Sequence, residues 1–294
     1  MLKGQIIKAI SSFYYVDTDT GVYECKARGI FKKSKNNILV GDNVSITILD
    51  EDEKKGVVEK IEKRKSELIR PPIANVDQAM IMFAIKQPDI HLSLLDRFLV
   101  LAEREGLDIV IVISKIDLDV ENKFENLKEI YKNCGYKIIP ISSLTGFNID
   151  AIREELKDKV TVFAGPSGVG KSSILNAVDT NFILKTGSVS EKIKRGRHTT
   201  RHVELMKLES GGVVADTPGF SSLSVEDIEE EELKEYFIEF YKYNDCKFGN
   251  KCIHLNEPNC SVKNAVEEGL ISKVRYESYL QLLGEIKEAK LRKW

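Results

Sequence analysis

Along the first 65 residues the apolar positions come in short bursts rich in β-branched and aromatic side chains, broken by charged turns. Gln5–Ile10, Gly21–Ala27, Asn43–Leu49 and Gly56–Ile61 read as strands, with turns at Asp17–Gly21, Lys33–Asn37 and Asp50–Lys55. Several strands in so short a stretch, with almost no helical period, predict a small closed β-barrel. From Asn75 the pattern changes. Ala79–Ile85 and Ile109–Ile113 are apolar runs of buried-strand length. Between them Ser93–Glu105 has apolar residues at 94, 95, 98, 99, 101 and 102, which is helical spacing. A helical stretch at Lys128–Cys134, strands at Lys137–Ile141 and Val160–Ala164, a helix at Ser173–Val178 and a strand at Val213–Ala215 continue the alternation. Strands alternating with helices predict βαβ units and a mostly parallel sheet. After the acidic run Glu226–Glu235 the chain closes on an amphipathic helix with Val274, Tyr276, Tyr279, Leu280, Leu283 and Ile286 on its apolar side.

Composition narrows the class without naming a function. The 294 residues are 42% apolar and 31% charged, an ordinary folded mixture long enough for two or three domains. The longest apolar run, Ala79–Ile85, is far short of the ~18 residues of a membrane-spanning helix. Lys8 interrupts the first apolar stretch, so no secretory core is expected. Five cysteines without regular spacing do not make a disulfide framework. A cytoplasmic protein with no membrane partner is the expectation. Net charge is −2; residues 1–65 carry 13 basic against 10 acidic groups, and residues 223–294 carry 11 against 15. Any affinity for RNA must therefore come from local patches, the densest being Lys192, Lys194, Arg195, Arg197 and Arg201.

The chemistry begins at Gly165-Pro166-Ser167-Gly168-Val169-Gly170-Lys171-Ser172, a full match to G-x-x-x-x-G-K-[ST] between a predicted strand and a predicted helix. Glycines let successive backbone N–H groups turn toward one anion, and the helix start adds partial positive charge. Lys171 would reach the β- and γ-phosphates and Ser172 would hold Mg²⁺. The motif suits a nucleotide kinase as well as a GTPase. Two more signatures separate them. Asp216-Thr217-Pro218-Gly219 follows an apolar strand, where an aspartate can meet Mg²⁺ through water and the Gly219 N–H a γ-phosphate. Ser114-Lys115-Ile116-Asp117 ends another strand and resembles the guanine-reading Asn-Lys-x-Asp of GTPases, with serine for asparagine. Asp117 would accept from guanine N1–H and the 2-amino group, which adenine cannot supply. The Lys115 stem would lie over the base plane. Serine in place of asparagine predicts a weaker tether to the phosphate loop. Ser142-Ser143-Leu144 resembles the Ser-Ala-x loop whose N–H groups contact the base oxygen.

The order of these motifs is unusual, because Ser114–Asp117 and Ser142–Leu144 precede the phosphate loop and Asp216–Gly219 closes the set. That is a circular permutation. With a barrel before it and a Cys/His cluster after it, the whole chain resembles the ribosome small-subunit-dependent GTPase A (RsgA) family. The resemblance implies a multidomain fold: an OB-fold barrel over 1–65, a permuted α/β P-loop GTPase domain over 66–222, and a helical zinc-binding domain over 223–294. It implies a monomeric GTPase that binds the small (30S) ribosomal subunit through 16S rRNA, assists its late maturation, and hydrolyses GTP to GDP under ribosome stimulation. Nucleotide contacts are implied for Ser114, Lys115, Asp117, Ser142, Ser143, Gly165, Pro166, Ser167, Gly168, Val169, Gly170, Lys171, Ser172, Ser173, Thr199, Thr200, Asp216 and Gly219. The family motif Gly-Arg-His-Thr-Thr stands intact at Gly196–Thr200. Thr199 or Thr200 would bind Mg²⁺ with Ser172, Thr200 being the position assigned. Phe220 occupies the place where many GTPases carry a water-orienting glutamine, so His198 is the candidate catalytic residue.

Cys246, Cys252, His254 and Cys260 crowd three thiols and an imidazole into one short stretch, the Cys₃His set of tetrahedral zinc. Their spacing is not the paired C-x₂-C, and unliganded thiols are the alternative on spacing alone. The family's zinc site matches residue by residue, which implies one structural Zn²⁺ per chain. Cys25 and Cys134 read as packing residues. A different class of function is an RNA-binding adaptor in which GTP sets conformation and hydrolysis is incidental.

Overall fold

Five strands open the chain: β1 (Leu2–Ile10), β2 (Phe13–Thr18), β3 (Gly21–Ala27), β4 (Asn43–Asp50) and β5 (Lys55–Ile61). A short pair, β6 (Glu67–Leu68) and β7 (Ile73–Ala74), leads to β8 (Gln78–Ala84), helix α1 (Leu92–Arg104), β9 (Asp108–Ser114), α2 (Lys123–Tyr131) and β10 (Lys137–Pro140). Then come α3 (Ile149–Leu156), β11 (Val160–Ala164), α4 (Lys171–Val178), β12 (Glu204–Lys207) and β13 (Val213–Asp216). The last segment holds short 3₁₀ turns, α5 (Ser261–Glu267) and α6 (Lys273–Arg292). The computed structural model describes residues 1–29, 31, 37–69, 71–179, 203–216 and 223–292. It divides into two units, Met1–Ala79 with Asp150–Phe163 and Ser172–Ser221, and Met80–Ile149 with Ala164–Lys171 and Ser222–Trp294.

In the first unit β1 pairs with β2, β2 with β3, β3 with β5, β5 with β4, and β4 returns to β1, closing a five-stranded barrel. Closure brings β1 against β2 so tightly that a Cβ on Gly4 would lie 2.4 Å from the Asp17 carbonyl oxygen. Ile6, Val16, Tyr23, Cys25, Val44, Ile46 and Val58 fill the interior. The sequence pattern predicts four of these strands; Phe13–Thr18 is the fifth. In the same unit β11 and β13 run parallel, Val160 beside Val213 and Val162 beside Ala215, and β12 lies antiparallel to β13. The antiparallel β12 is an addition to the predicted pattern, and it meets β1 at Lys8 and Glu204, which form an ion pair at 3.0 Å.

The second unit carries β8, β9 and β10 side by side, with β9 and β10 parallel. Every residue of β8 is buried. The predicted helix appears as α1, which buries Leu95, Phe98, Leu99, Leu101 and Ala102 and stops at a left-handed Gly106 whose N–H bonds the Glu103 carbonyl. α2 starts earlier than the sequence pattern suggests, because the Asp119 carboxylate accepts from the N–H groups of Lys123 and Phe124 at 2.8 and 2.9 Å and caps the helix.

The closing helix α6 differs from its predicted face. Tyr279, Leu283 and Ile286 are buried as expected, but the stripe also holds Arg275, which is completely buried, while Leu280 is only partly so. The Arg275 guanidinium donates to both Glu239 oxygens at 2.7 and 2.9 Å and to Asp96 Oδ1 at 2.7 Å, and it lies over the rings of Phe237 and Tyr131. The Tyr131 hydroxyl donates to the same Asp96 oxygen at 2.6 Å. A charge enters the core here because three elements bring it partners. Cys25 and Cys134 are buried, and burial pushes their thiols up to about 11 and about 12, as inert packing residues require. Among the described residues no helix is long and apolar enough to cross a membrane.

Candidate functional site

The phosphate-loop glycines take the conformations that only glycine adopts freely: φ is 140° at Gly165, 82° at Gly168 and 94° at Gly170. A Cβ at Gly165 would sit 2.1 Å from the Met82 carbonyl oxygen, so the loop lies directly on β8. Ser167 and Gly168 are exposed and Val169 is buried, which pins the loop by its one buried side chain. The Lys171 ammonium folds back to the carbonyls of Gly165 and Pro166, at 2.8 Å each. Burial holds its pKa below the ordinary lysine value. Ser172 and Ser173 are exposed in the first turn of α4, while Ile174 and Val178 are buried.

Ser114-Lys115 grips this loop. Ser114 is buried at the end of β9, and its hydroxyl lies 2.5 Å from the Val169 carbonyl and 3.2 Å from that of Phe83. A hydroxyl has one proton, and the shorter contact takes it. The weaker tether expected of serine is thus replaced by a short, buried one. Lys115, in the left-handed region at φ 56°, sends its ammonium to the Gly168 carbonyl at 2.9 Å and to the Gln87 carbonyl. Asp117 follows in a single 3₁₀ turn, Ile116–Leu118, and is exposed. Ile116 N–H bonds the Ile141 carbonyl and Asp119 caps α2, so the turn that presents Asp117 is fixed on both sides.

Ser142 is buried, its N–H bonds the Phe147 carbonyl at 3.1 Å, and its hydroxyl accepts from Thr145 N–H at 3.2 Å. Ser143 and Leu144 form the exposed crest of that loop. In the first unit Asp216 ends β13, at the same end of the sheet as Phe163 on the parallel β11. His198, Thr199, Thr200 and Gly219 lie outside the described residues, as do the basic positions 192–201 and Phe220. Sequence reasoning missed the supporting parts: the Gln87 carbonyl, which carries no side-chain signal, and Asp119, whose place two residues after Asp117 before a helix is a readable capping signal.

The second cluster is complete. Sγ of Cys246, Cys252 and Cys260 and Nδ1 of His254 all lie within 4.8 Å of one another, and all four residues are buried. His254 Nδ1 is 3.6, 3.3 and 3.2 Å from the three sulfurs in chain order, and Cys246 and Cys252 are 3.8 and 3.9 Å from Cys260. Zn–S bonds of ~2.3 Å in a tetrahedron demand S···S edges of about 3.8 Å, so the set fits zinc with no position left open. Burial, then the Lys234 charge, brings His254 down to about 4, which keeps the imidazole neutral as a ligand must be. Side chains around the cluster hold the backbone between ligands. Lys234 donates to the carbonyls of Asn250 and Cys252, Tyr279 to Ile253, and Tyr276 to His254, while Glu257 accepts from Ile253 and Leu255 N–H.

Comparison with known proteins agrees with this layout. The model of the RsgA GTPase family matches residues 61–226, and that of the RsgA N-terminal domain residues 3–58. A protein of Alkaliphilus metalliredigens described as small ribosomal subunit biogenesis GTPase RsgA is 52% identical over 98% of this chain and 99% of its own. One of Caldanaerobacter subterraneus with the same description is 48% identical over 100% and 98%. Among solved structures, YjeQ from Thermotoga maritima superposes with a TM-score of 0.85 at 40% identity, covering 97% of this chain and 98% of that one. YloQ, described as a circularly permuted GTPase, gives 0.81 at 43%, covering 98% and 96%. From its barrel through its permuted motifs to its Cys₃His cluster, the chain belongs to the RsgA GTPase family.

Proposed function

We propose that this chain is a GTPase of small ribosomal subunit maturation, reading GTP and GDP with Ser114–Asp117 and Ser142–Leu144 and gripping their phosphates with Gly165–Ser173. The observation that carries the reading is the pair of contacts from Ser114 and Lys115 to the carbonyls of Val169 and Gly168. It joins a base-reading loop to a phosphate-reading loop. In this reading Lys171 exchanges its two carbonyl partners for β- and γ-phosphate oxygens, and desolvation strengthens that contact. Asp117 accepts from guanine, Lys115 covers the base with its stem, and the N–H groups of Ser143 and Leu144 meet the base oxygen. Mg²⁺, when bound, would neutralise phosphate charge, and Ser172, Thr200 and Asp216 are the residues that would hold it. Thr199 and Gly219 sense the γ-phosphate and His198 orients the attacking water.

The organisation proposed is the barrel over 1–65, the GTPase domain over 66–222 and the zinc module over 223–294, working as a cytoplasmic monomer. Cys246, Cys252, His254 and Cys260 hold a structural Zn²⁺. The partner is the small subunit, as the relatives' descriptions as small ribosomal subunit biogenesis GTPases support, and 16S rRNA is the component of it that the family resemblance implies as the binding surface. The test is GTP hydrolysis by the full chain with and without purified small subunits. Strong stimulation is expected, lost in His198→Ala with nucleotide affinity retained. Unstimulated hydrolysis with normal subunit binding would replace the enzyme by the adaptor.

A further inference from the structure

Within the second unit, α1 is held just before its start and in its second turn by side chains from distant parts of the chain. At its start the carbonyl of Gln87, in the turn between β8 and α1, shares the Lys115 ammonium with Gly168 of the phosphate loop. Along the helix Asp96 receives the buried Arg275 at 2.7 Å, and Arg97 holds both oxygens of Glu285 at 2.5 and 2.6 Å. Arg275 and Glu285 both belong to α6. The stretch of α1 between these contacts, Leu92–Arg97, is a stiff helical segment ~9 Å long. It therefore links the phosphate loop to the helix whose Tyr276 and Tyr279 brace the backbone around His254.

One end of this link is incompletely satisfied. Asp96 Oδ1 accepts from both Arg275 and Tyr131, yet Oδ2 is buried without a hydrogen-bond partner among the described residues. An unmet buried oxygen weakens the arrangement it belongs to, so this contact is the least secure part of the link.

We propose that α1 transmits occupancy of the phosphate loop to α6, entering through Lys115 and Gln87 and leaving through Asp96–Arg275 and Arg97–Glu285. The proposal rests on nucleotide binding at Gly165–Ser172. By linkage, anything that stabilises the responsive position of α6 changes nucleotide affinity by the same factor. Neither Arg97 nor Glu285 belongs to the nucleotide or zinc machinery, so this exit can be cut without touching either.

The test is hydrogen exchange of residues 273–292 in the full, zinc-loaded chain, without nucleotide, with GDP, and with a non-hydrolysable GTP analogue. Nucleotide should change α6 exchange by about fivefold or more, the lower range of ordinary site-to-site coupling. Arg97→Ala, which cuts one of the two exits and leaves Asp96–Arg275, should reduce that response while nucleotide affinity and zinc content stay as in the parent. Asn133→Ala, which removes a contact to the Leu270 carbonyl that bypasses α1, should leave it intact. Unchanged α6 exchange in a chain that demonstrably binds nucleotide would overturn the link, as would a full response in Arg97→Ala. A chain that bound no guanine nucleotide would overturn the site reading itself, and the link with it.

Discussion

Replacing Arg275 by Met tests how much of the second unit depends on one buried charge. Methionine keeps a long apolar stem beside Phe237, whose ring centroid lies 4.5 Å from the guanidinium carbon, so packing changes little. What disappears is charge and three short hydrogen bonds, two to Glu239 and one to Asp96. Both carboxylates are buried, Asp96 completely and Glu239 with 2% exposure, so neither recovers water when its partner leaves. Removing one member of a buried ion pair costs ~3–5 kcal/mol, and two carboxylates put this site in the upper part of that range. Against a typical stability of ~5–15 kcal/mol, the C-terminal segment should unfold well before the parent does. Urea titration followed by circular dichroism reads the loss, and a chromogenic chelator reads the zinc set free. Adding Asp96→Leu and Glu239→Leu to Arg275→Met should recover much of the stability, since an all-apolar set leaves no uncompensated charge. A loss below ~1 kcal/mol for Arg275→Met alone, the worth of an exposed pair, would refute the reasoning.

Two further outcomes follow from the site geometry. Ser114→Ala removes the hydroxyl that meets the Val169 carbonyl and leaves that acceptor buried, which at ~1–2 kcal/mol should weaken GTP and GDP binding about five- to thirtyfold with turnover at saturation little changed; fluorescent-nucleotide titration checks it, and unchanged affinity would contradict the tether. Cys252→Ser breaks the tetrahedral set, so zinc content by atomic absorption should fall and the C-terminal segment should become protease-sensitive, while basal GTP hydrolysis persists; full zinc retention would count against the four-ligand assignment.

What the sequence discloses and what it hides follow the range of the interactions. The phosphate loop is local in sequence, so spacing reveals it; the Cys₃His set is local too, but its unpaired spacing reads as zinc only beside the family resemblance. Phe13–Thr18 escapes because only Val16 is buried; the strand exists through pairing with β1 and β3 on either side and not through an apolar face. β12 is four residues long and is likewise made by its neighbours. The helix Ile149–Leu156 carries the right period, with Ile149, Ile152 and Leu156 all buried, but is too short for the pattern to stand out. Arg275 sits in an apolar stripe where polarity alone would place it outside. Its partners lie 36 and 179 residues away, so nothing nearby announces that its charge will be met. The Ser114–Val169 contact spans 55 residues. A serine in place of asparagine reads as a loss until the fold shows how close the two loops come.

The central claim is that Ser114–Asp117 reads guanine. Competition of GTP, ATP and xanthosine triphosphate against a fluorescent GDP, in the parent and in Asp117→Asn, tests it most directly. The parent should prefer GTP over ATP by on the order of a hundredfold or more, because Asp117 finds no donors on adenine. Asp117→Asn exchanges an acceptor for an amide, so GTP should weaken and xanthosine triphosphate should bind better than to the parent. Equal affinity of the parent for GTP and ATP, or an Asp117→Asn chain that kept its GTP preference, would contradict the account.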